Sequence, residues 1–350
     1  MVETGMVRFG VLGAANIARS FIRGMSGSSL ASVDAVASRS TEKAAAFAAE
    51  MGVPRHHGSY EALLADPDID AIYVPLPNDM HAEWAIRAAE AGKHVLSEKP
   101  LAISAAEARA MFDAARAHGV HLAEAYPYMS QPQTLRVRAL LAEGAIGRIQ
   151  LATAAFGFGL LSPEGTPLGD PANIRLDPTR GGGGLLDAGT YAMSMLRMAV
   201  GERPSRVFAT GRYTSENVDQ TIVAILEFPS GVIGQLSSTM SAAWHRHAVI
   251  VGTTGVIETN YANHAPVTGA ESGTLSLRIK RGIPGTIPFE TETLEGGDGF
   301  RAEGDSFARM IRQGASQWNG ATEAESMDTV MSLHAIAESA RTGAWVDLPA

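Results

Sequence analysis

The sequence predicts a two-domain α/β protein, and three observations lead to that prediction. The chain has 350 residues, which exceeds the usual size of a single domain. Short apolar runs alternate with helical patterns through about the first 120 residues, which indicates a doubly wound parallel sheet. In the second half, apolar residues recur at every second position in several segments, which is typical of β-strands. We therefore predict one domain over residues 1–125 and a second, with helices and several strands, over residues 126–350.

The composition argues against several classes of protein. The formal net charge is -9 at pH 7, and so acidic a chain is a poor partner for nucleic acid or for an anionic membrane surface. The chain has no cysteine, which excludes a disulfide, a thiolate nucleophile and a cysteine-bound metal. The first residues do not resemble a signal peptide, and there is no 18-residue apolar run. We expect a cytoplasmic protein that binds neither nucleic acid nor a membrane.

The chain opens with a predicted strand, a tight turn at Gly13 and a helix. The segment 13–18, Gly-Ala-Ala-Asn-Ile-Ala, matches the dinucleotide-binding fingerprint with alanine at the second and third glycine positions. Small Ala15 would let the backbone approach a pyrophosphate. Asn16 and Ile17 begin the helix, where free N–H groups favour an anion. The alternative is a tight turn that binds no ligand.

The residues after the second predicted strand, 32–37, bear on the choice of cofactor. An acidic residue at this position would bind a ribose hydroxyl of NAD. The chain instead has Ser38 and Arg39, with Lys43 nearby. A hydroxyl and cationic groups suit the additional phosphate of NADP, so we predict NADP as the preferred cofactor and NAD as the alternative. Otherwise Arg39 is an ordinary solvated arginine.

A third apolar run, 69–74, leads into a polar outlet. Pro75, Leu76 and Asn78 follow the run, and a helical pattern includes His81. The carboxyl ends of strands in an open α/β sheet are where ligands bind. Asn78 can cap the helix that follows this outlet.

The next predicted strand, 93–97, ends at Glu98 and Lys99. A lysine at this edge of the sheet remains a positive point charge beside a reacting oxygen, or shifts its pKa when partly buried. The alternative is a solvated Glu-Lys turn. A helix over 104–118 and a strand over 120–124 complete this half.

The second half combines helical patterns with strands of period two. Predicted helices are 134–143, 304–313 and 326–341, and predicted strands are 148–158, 206–213, 220–228, 232–240, 247–252 and 255–260. The four glycines at 181–184 allow the backbone to approach a ligand or a neighbouring element, and an apolar helix follows them. The cluster Trp-His-Arg-His at 244–247 is interpreted as a strand that ends in solvent, and no metal site is predicted.

Four motifs occur in order along the chain and together resemble one family. They are Gly-Ala-Ala-Asn-Ile-Ala at 13–18, Pro-Leu-Pro-Asn-Asp-Met-His at 75–81, Glu-Lys-Pro at 98–100, and Gly-Gly-Gly-Gly-Leu-Leu-Asp-Ala-Gly-Thr-Tyr at 181–191. The combination is similar to the glucose–fructose oxidoreductase/inositol dehydrogenase family (Gfo/Idh/MocA) over nearly the whole chain. This resemblance implies an N-terminal Rossmann domain and a C-terminal α+β domain with a large, mostly antiparallel sheet. It also implies a homo-oligomer, a dimer or a tetramer, that assembles through one face of that sheet.

The resemblance assigns roles to individual residues. Lys99 corresponds to the catalytic-site lysine, Asn78 and His81 lie along the nicotinamide, and Asp187 holds substrate hydroxyls. The complete set of candidate cofactor-binding residues is Gly13, Ala15, Asn16, Ile17, Ser38, Arg39, Lys43, Pro75, Leu76, Asn78, His81, Glu98 and Lys99.

The second domain departs from the commonest family pattern. Tyr191 stands where many members have histidine, and Ser194 stands where they have aspartate. Tyrosine at this position is similar to a subgroup with glucose–fructose oxidoreductase, D-xylose dehydrogenases, dihydrodiol dehydrogenase and some keto-sugar reductases. The run 170–178 resembles the xylose-type members, which makes Asn173 and Arg175 candidate substrate or cofactor contacts.

A further departure concerns the substrate. Met129 and Gln131 stand where xylose-type members usually have arginine and histidine. We therefore expect an altered pocket, and the substrate of those members does not transfer directly.

These residues predict a mechanism of hydride transfer. Tyr191 would remove the proton of a substrate hydroxyl during oxidation, or return it during reduction. The free phenol, with a pKa of about 10, is a poor base at neutral pH, and a nearby Lys99 ammonium would lower that pKa. Asp187 would accept hydrogen bonds from neighbouring hydroxyls and orient a sugar or polyol.

The predicted function is an NADP-preferring dehydrogenase of an aldose or related polyol. One alternative with the same chemistry is reduction of a keto-sugar or oxidation of a cyclic trans-diol. Another is sugar–sugar transfer by a tightly bound cofactor, which the missing export signal disfavours. A fourth is a non-catalytic cofactor-binding regulator, although such family members tend to lose the lysine motif that is intact here.

Overall fold

The chain forms two compact units in a computed structural model. The structure describes residues 5–265 and 273–349. The first unit consists of Met1–Gln131 and Gly297–Glu323, and the second of Pro132–Gly296 and Ala324–Ala350. The chain therefore returns to the first unit near its end. From the sequence alone, this returning segment was predicted to belong to the second domain, 126–350.

The first unit is built on a six-stranded parallel sheet, which confirms the predicted doubly wound fold. The strand order is β3-β2-β1-β4-β5-β6. Buried apolar runs make these strands, because both faces of a parallel sheet are covered. The bounds are β1 Val7–Leu12, β2 Ala31–Ala37, β3 Arg55–His57, β4 Ala71–Val74, β5 His94–Glu98 and β6 Leu122–Ala125.

Six helices accompany this sheet. Ser40, Ser59 and Ser104 each accept a backbone hydrogen bond as N-caps, which fixes where three of the helices begin. The helices are α1 Asn16–Met25, α2 Thr41–Met51, α3 Tyr60–Leu64, α4 His81–Glu90, α5 Ala105–Ala117 and α8 Gly299–Gln313.

Aromatic rings from both segments of the first unit share one core. Phe9 of β1 meets Phe21 of α1 edge-on at 5.5 Å between ring centroids. Phe300 and Phe307 of α8 approach these rings at 6.3 and 6.1 Å. The α8 helix is therefore part of the first unit's core.

The second unit contains a nine-stranded sheet in which β10 and β7 pair in parallel and the other pairs are antiparallel. The order is β14-β13-β12-β11-β7-β10-β9-β8-β15. The strands are β7 Ile149–Gly159, β8 Arg206–Tyr213, β9 Asp219–Glu227, β10 Ile233–Thr239, β11 Ser241–Gly252, β12 Gly255–Thr259, β13 Thr274–Arg281, β14 Glu290–Glu295 and β15 Val346–Asp347. The helices are α6 Pro132–Ala142, α7 Thr190–Val200 and α9 Glu323–Thr342.

The two faces of this sheet differ. Along β9, Ala224 and Leu226 are buried, whereas the alternate residues Val223 and Ile225 are exposed. Helix α7 packs against β7, β10 and β11 on the buried side. The unit thus has one face covered by helix and one open face with apolar side chains.

Candidate active site

The Gly13 turn has the geometry that a dinucleotide requires. Gly13 has φ +93°, and its N–H donates to the Ala37 carbonyl at 2.7 Å. A Cβ at this position would lie 3.1 Å from Leu76 Cδ2, so a side chain is disfavoured. Helix α1 then begins at Ala15 with no side-chain cap and no acidic residue in its first turn. The free N–H groups and the dipole at this helix end favour an anion, and the predicted contact with a pyrophosphate stays a prediction.

The end of β2 is more mixed in charge than the sequence analysis stated. Arg39 and Lys43 are both exposed, and the Arg39 charge opposes the rise that burial causes in the pKa of Tyr60. Ser40 donates to the Glu42 carboxylate at 2.7 Å, which lowers the pKa of Glu42. Glu42 was overlooked as an anion in this segment. The exposed surface here therefore carries two cations, Arg39 and Lys43, and one anion, Glu42.

The His81 ring connects the loop that follows β4 with the loop that follows β5 through hydrogen bonds. The ring is fully buried, with Nδ1 at 2.8 Å from the Pro100 carbonyl and Nε2 at 2.7 Å from the Leu76 carbonyl. Burial, together with the Lys99 charge, lowers the pKa of His81, although both carbonyls oppose the shift. His81 thus fixes two loops, and its predicted contact with a nicotinamide stays a prediction. Asn78 begins a 3-10 turn, Asn78–Met80, next to buried Pro75 and Leu76.

Buried carboxylates support the backbone around Lys99. Glu98 accepts from the Tyr73 hydroxyl at 2.5 Å and from the Lys99 backbone N–H at 3.2 Å. Glu124 accepts from the Leu101 N–H at 2.9 Å. Glu98 therefore lies beneath the loop with its carboxylate turned to the protein, while the Lys99 residue is half-buried.

A third carboxyl in this unit was missed by sequence reasoning. Glu303 of α8 is fully buried, and burial followed by the charge of Glu98 raises its pKa well above the usual range. Burial thus favours the protonated form of Glu303. Its position among apolar helix residues gave no signal in the sequence.

The glycine run of the second unit lies against strand β9. Gly183 has φ +119°, and a Cβ there would lie 1.9 Å from Asp219 Oδ1. Asp219 Oδ2 accepts from the Leu185 N–H at 2.6 Å. The glycines therefore admit a partner element, one of the two alternatives that the sequence left open.

Asp187 and Tyr191 belong to one continuous helical segment. The π-helix Leu185–Gly189 carries Asp187 and continues directly into α7, which carries Tyr191 in its first turn. Residues four apart in a helix lie on the same side. Short π-helical segments are frequent at functional sites.

Asp187 is paired with Arg175. The Arg175 Nε donates to Asp187 Oδ2 at 2.6 Å, and the Asp187 side chain is only 14% exposed. Asn173 caps the short turn Ile174–Leu176 by accepting from the Arg175 N–H at 3.1 Å. Two predicted substrate residues thus contact each other, and the third, Asn173, orients the arginine.

A buried arginine lies on the Tyr191 ring. The Arg246 guanidinium carbon is 4.4 Å from the Tyr191 ring centroid and 5.1 Å from that of Phe156. Arg246 was interpreted as part of a strand end in solvent, and that interpretation is wrong, because the residue is 7% exposed. The signal was present in the sequence: the alternation of buried Ala248 and Ile250 extends back to Arg246.

Met129 and Gln131 are both buried in the first unit. The Gln131 amide donates to the Gly297 carbonyl at 2.8 Å. This bond joins the end of the first segment to the start of the returning one. No described group of three or more histidine, aspartate or glutamate side chains is arranged to hold a metal ion, and none of the helices in the described ranges is long and apolar enough to cross a membrane.

The parallel sheet and the Gly13 turn are those of a Rossmann domain, and the family matches identify an oxidoreductase. Residues 7–126 match the family model for the oxidoreductase family with an NAD-binding Rossmann fold, GFO_IDH_MocA. Residues 134–258 match the GFO/IDH/MocA C-terminal domain. The chain belongs to the Gfo/Idh/MocA family, which confirms the resemblance inferred from its motifs.

Named relatives include enzymes of three kinds. D-xylose 1-dehydrogenase (NADP(+)) 2 of Haloferax volcanii is 37% identical, with 97% of this chain and 99% of that protein aligned. Trans-1,2-dihydrobenzene-1,2-diol dehydrogenase of Mus musculus is 35% identical over 72% of this chain and 74% of that protein. A solved 3-ketoreductase from Actinomadura kijaniata, in complex with NADP and TDP-benzene, is 31% identical with a TM-score of 0.82, covering 96% of this chain and 98% of that chain.

Proposed function

We propose that this protein is an NADP-preferring dehydrogenase of an aldose or a related polyol. The observation that carries the proposal is the pairing of Tyr191 with Asp187 on one helical segment, with a buried cation on the tyrosine ring. A phenol beside a cation suits proton transfer from a hydroxyl. A carboxylate four residues earlier suits the adjacent hydroxyls of a sugar. The relative named as an NADP-dependent D-xylose dehydrogenase supports this choice.

In the proposed mechanism, the Gly13 turn and the start of α1 hold the pyrophosphate, and Arg39 holds the additional phosphate. The bound nicotinamide supplies or accepts the hydride. Tyr191 Oη takes the hydroxyl proton during oxidation, or returns it to the carbonyl oxygen during reduction. The Lys99 ammonium stabilises negative charge on the substrate oxygen. Asp187 accepts hydrogen bonds from neighbouring hydroxyls and so orients the reacting carbon.

Reduction of a keto-sugar is a second candidate. The solved 3-ketoreductase from Actinomadura kijaniata favours it, because the alignment covers 96% of this chain. Oxidation of a cyclic trans-diol is the corresponding candidate from the dihydrodiol dehydrogenase relative. Both use the same proton donor or acceptor, Tyr191. A non-catalytic regulator is disfavoured, because Lys99 is retained on a loop supported by buried carboxylates.

The substrate is tested by the absorbance of reduced nicotinamide with the purified protein. NADP and NAD are compared over aldoses, inositols, sugar phosphates and cyclic diols, and the reverse assay uses keto-sugars. Turnover of an aldose with NADP supports the proposal. Turnover only in the reverse assay supports the keto-sugar candidate, and cofactor binding without turnover in either direction contradicts both.

The proposed roles of Tyr191 and Lys99 are tested by substitution. Tyr191→Phe and Lys99→Ala should each lower kcat by about 10²- to 10⁴-fold, as loss of general acid–base or charge stabilisation does. Cofactor affinity, measured by fluorescence, should change little in Tyr191→Phe. Tyr213→Phe and Lys280→Ala are matched controls on β8 and β13. Near-normal kcat in either active-site variant would remove that residue from the mechanism.

We also propose a cytoplasmic location and a homo-oligomer formed through the open face of the large sheet. Val223, Ile225 and Ile233 are exposed on the neighbouring strands β9 and β10. The register places Gln235 opposite Ile225 and Ile233 opposite Glu227, so all three apolar side chains lie on one face. A second copy of this chain would bury them. Cell fractionation tests the location.

A further inference from the structure

Arg246 is the centre of a cluster of aromatic side chains in the second unit. Its guanidinium carbon lies 4.4 Å from the Tyr191 ring centroid and 4.5 Å from that of Tyr261. Phe156 pairs directly with Arg246 across β7 and β11 and contacts Tyr191 edge-on at 5.5 Å. The guanidinium therefore lies between three rings.

A hydrogen-bond path joins the same groups. Arg246 donates to Asn263 Oδ1 at 3.2 Å, and the Asn263 amide nitrogen lies 3.5 Å from Tyr191 Oη. An arginine keeps its charge at all accessible pH values. The ring of Tyr191 and its hydroxyl thus both lie within the field of a permanent cation, which favours an ionised phenol over a neutral one.

The hydroxyls of Tyr261 and Tyr191 have different hydrogen-bond partners. Its hydroxyl donates to the Ala155 carbonyl at 2.8 Å. Burial raises the pKa of Tyr261, although Arg246 opposes the shift. Tyr261 also has φ +33°, a conformation that non-glycine residues adopt rarely and mainly at functional sites. Tyr261 thus donates its proton to a carbonyl and packs against Arg246, whereas the Tyr191 hydroxyl lies beside Asn263.

The other elements packed against α7 bring few competing charges. Strands β7 and β10 have no ionisable side chain in the ranges given above. On β11, the two histidines next to Arg246 are on the alternate side of the strand. Helix α6 also contacts α7, and its Arg136 and Arg138 pair with Glu292 and Glu325. Asp187 on the π-helix pairs with Arg175, and Arg197 on α7 itself pairs with Asp328.

We propose that Arg246 is a positioning residue that holds the Tyr191 ring and favours its phenolate, so that Tyr191 can accept a hydroxyl proton. This inference rests on the proposed function, in which Tyr191 is the acid–base group. In oxidation, the substrate O–H bond breaks and its proton passes to Tyr191 Oη, while the hydride leaves to an oxidised nicotinamide dinucleotide. The phenolate is then restored by loss of that proton to solvent.

The test measures ionisation without cofactor. The ultraviolet absorbance of tyrosinate is followed against pH in the protein without cofactor, and the signal missing from Tyr191→Phe identifies Tyr191. Arg246→Met should raise the pKa of Tyr191 by about one unit or more, and Arg246→Lys, which keeps the charge but not the planar contact, by less. In oxidation, the acidic limb of the kcat–pH profile, where the Tyr191 phenolate becomes protonated, should move in the same order. Arg206→Met is the control, because Arg206 lies 4.6 Å from the Trp345 ring in a comparable contact.

An unchanged Tyr191 midpoint in folded Arg246→Met would overturn the inference. If that variant does not fold, Arg246→Lys and Asn263→Ala carry the test, and an unchanged midpoint in both has the same meaning. Full activity of Tyr191→Phe would instead contradict the proposed function. The two failures are distinguishable, because the titration needs neither cofactor nor substrate.

Discussion

Arg39 is the exposed side chain that we propose decides between NADP and NAD. It follows β2 at the position where an acidic residue would bind the NAD ribose. Glu42 is nearby but accepts the Ser40 hydroxyl. The guanidinium can form charge-assisted hydrogen bonds with a phosphate and gains little from a ribose hydroxyl.

We therefore expect Arg39→Ala to raise KM for NADP by about 10- to 100-fold, because the variant loses one charge-assisted hydrogen bond to the phosphate. KM for NAD should change by less than about threefold. Initial-rate kinetics with both cofactors measure the effect. Arg23→Ala, an exposed arginine at the end of α1, is the matched control. An equal loss with both cofactors would assign Arg39 a general role in folding or binding.

Individual residues also show what could and could not be predicted from the sequence. The roles proposed for Tyr191 and Asp187 came from motif order, and both residues lie where a helix begins, as the pattern suggested. Arg246 was missed because the strand was predicted to begin at residue 247, whereas β11 begins at Ser241. Isolated charged residues on strands are usually solvated. The register pairs Arg246 with Phe156, and continuing the strand back to this pair places Arg246 on the same side as buried Ala248 and Ile250.

At the scale of elements, strand β5 begins with a histidine that is sensitive to acid. The His94 Nδ1 accepts the His121 backbone N–H at 2.9 Å, and the two rings stack at 5.3 Å. Burial, and then the neighbouring His121, lowers the pKa of His94 to about 4. Protonation at Nδ1 would break the hydrogen bond that joins the starts of β5 and β6.

The sign of the pH dependence follows from that shift. The unfolded chain binds a proton near pH 6.5 and the folded chain only near pH 4, so stability falls as pH drops between these values. We expect a loss of about 3 kcal/mol in the free energy of unfolding over this range. Urea unfolding at several pH values measures it. His94→Asn, which keeps an acceptor, should flatten the dependence, whereas exposed His118→Asn should not. An unchanged slope in His94→Asn would refute the assignment.

Elements differed in how well the sequence predicted them. In the first unit, the predicted strands begin within two residues of β1, β2, β4, β5 and β6. Continuous apolar runs between turn residues are a strong signal. The short β3 and α3 were not predicted, and neither were β13 and the edge strand β14. Strand β14 reads Glu-Thr-Glu-Thr-Leu-Glu, and without an apolar face it has no periodic signal.

At the scale of the whole molecule, we proposed that two copies assemble through the open face of the large sheet. Measuring the oligomeric state tests this proposal. A homo-oligomer should appear in light scattering at micromolar concentration. Ile225→Lys should shift it towards the monomer, because burial of the added charge opposes association. Ser215→Lys, in the exposed turn between β8 and β9, is the control. A monomeric parent protein would refute the proposal.

The return of the chain to its first unit affects how genes of this family can recombine. Phe300 and Phe307 complete the core around Phe9 and Phe21 from more than 270 positions away in sequence. A single crossover near residue 125 would join the front of one parent to a foreign α8. The aromatic cluster would then be mismatched. A chimera that exchanges two stretches, 1–131 and 297–323, inherits the nucleotide-binding unit intact.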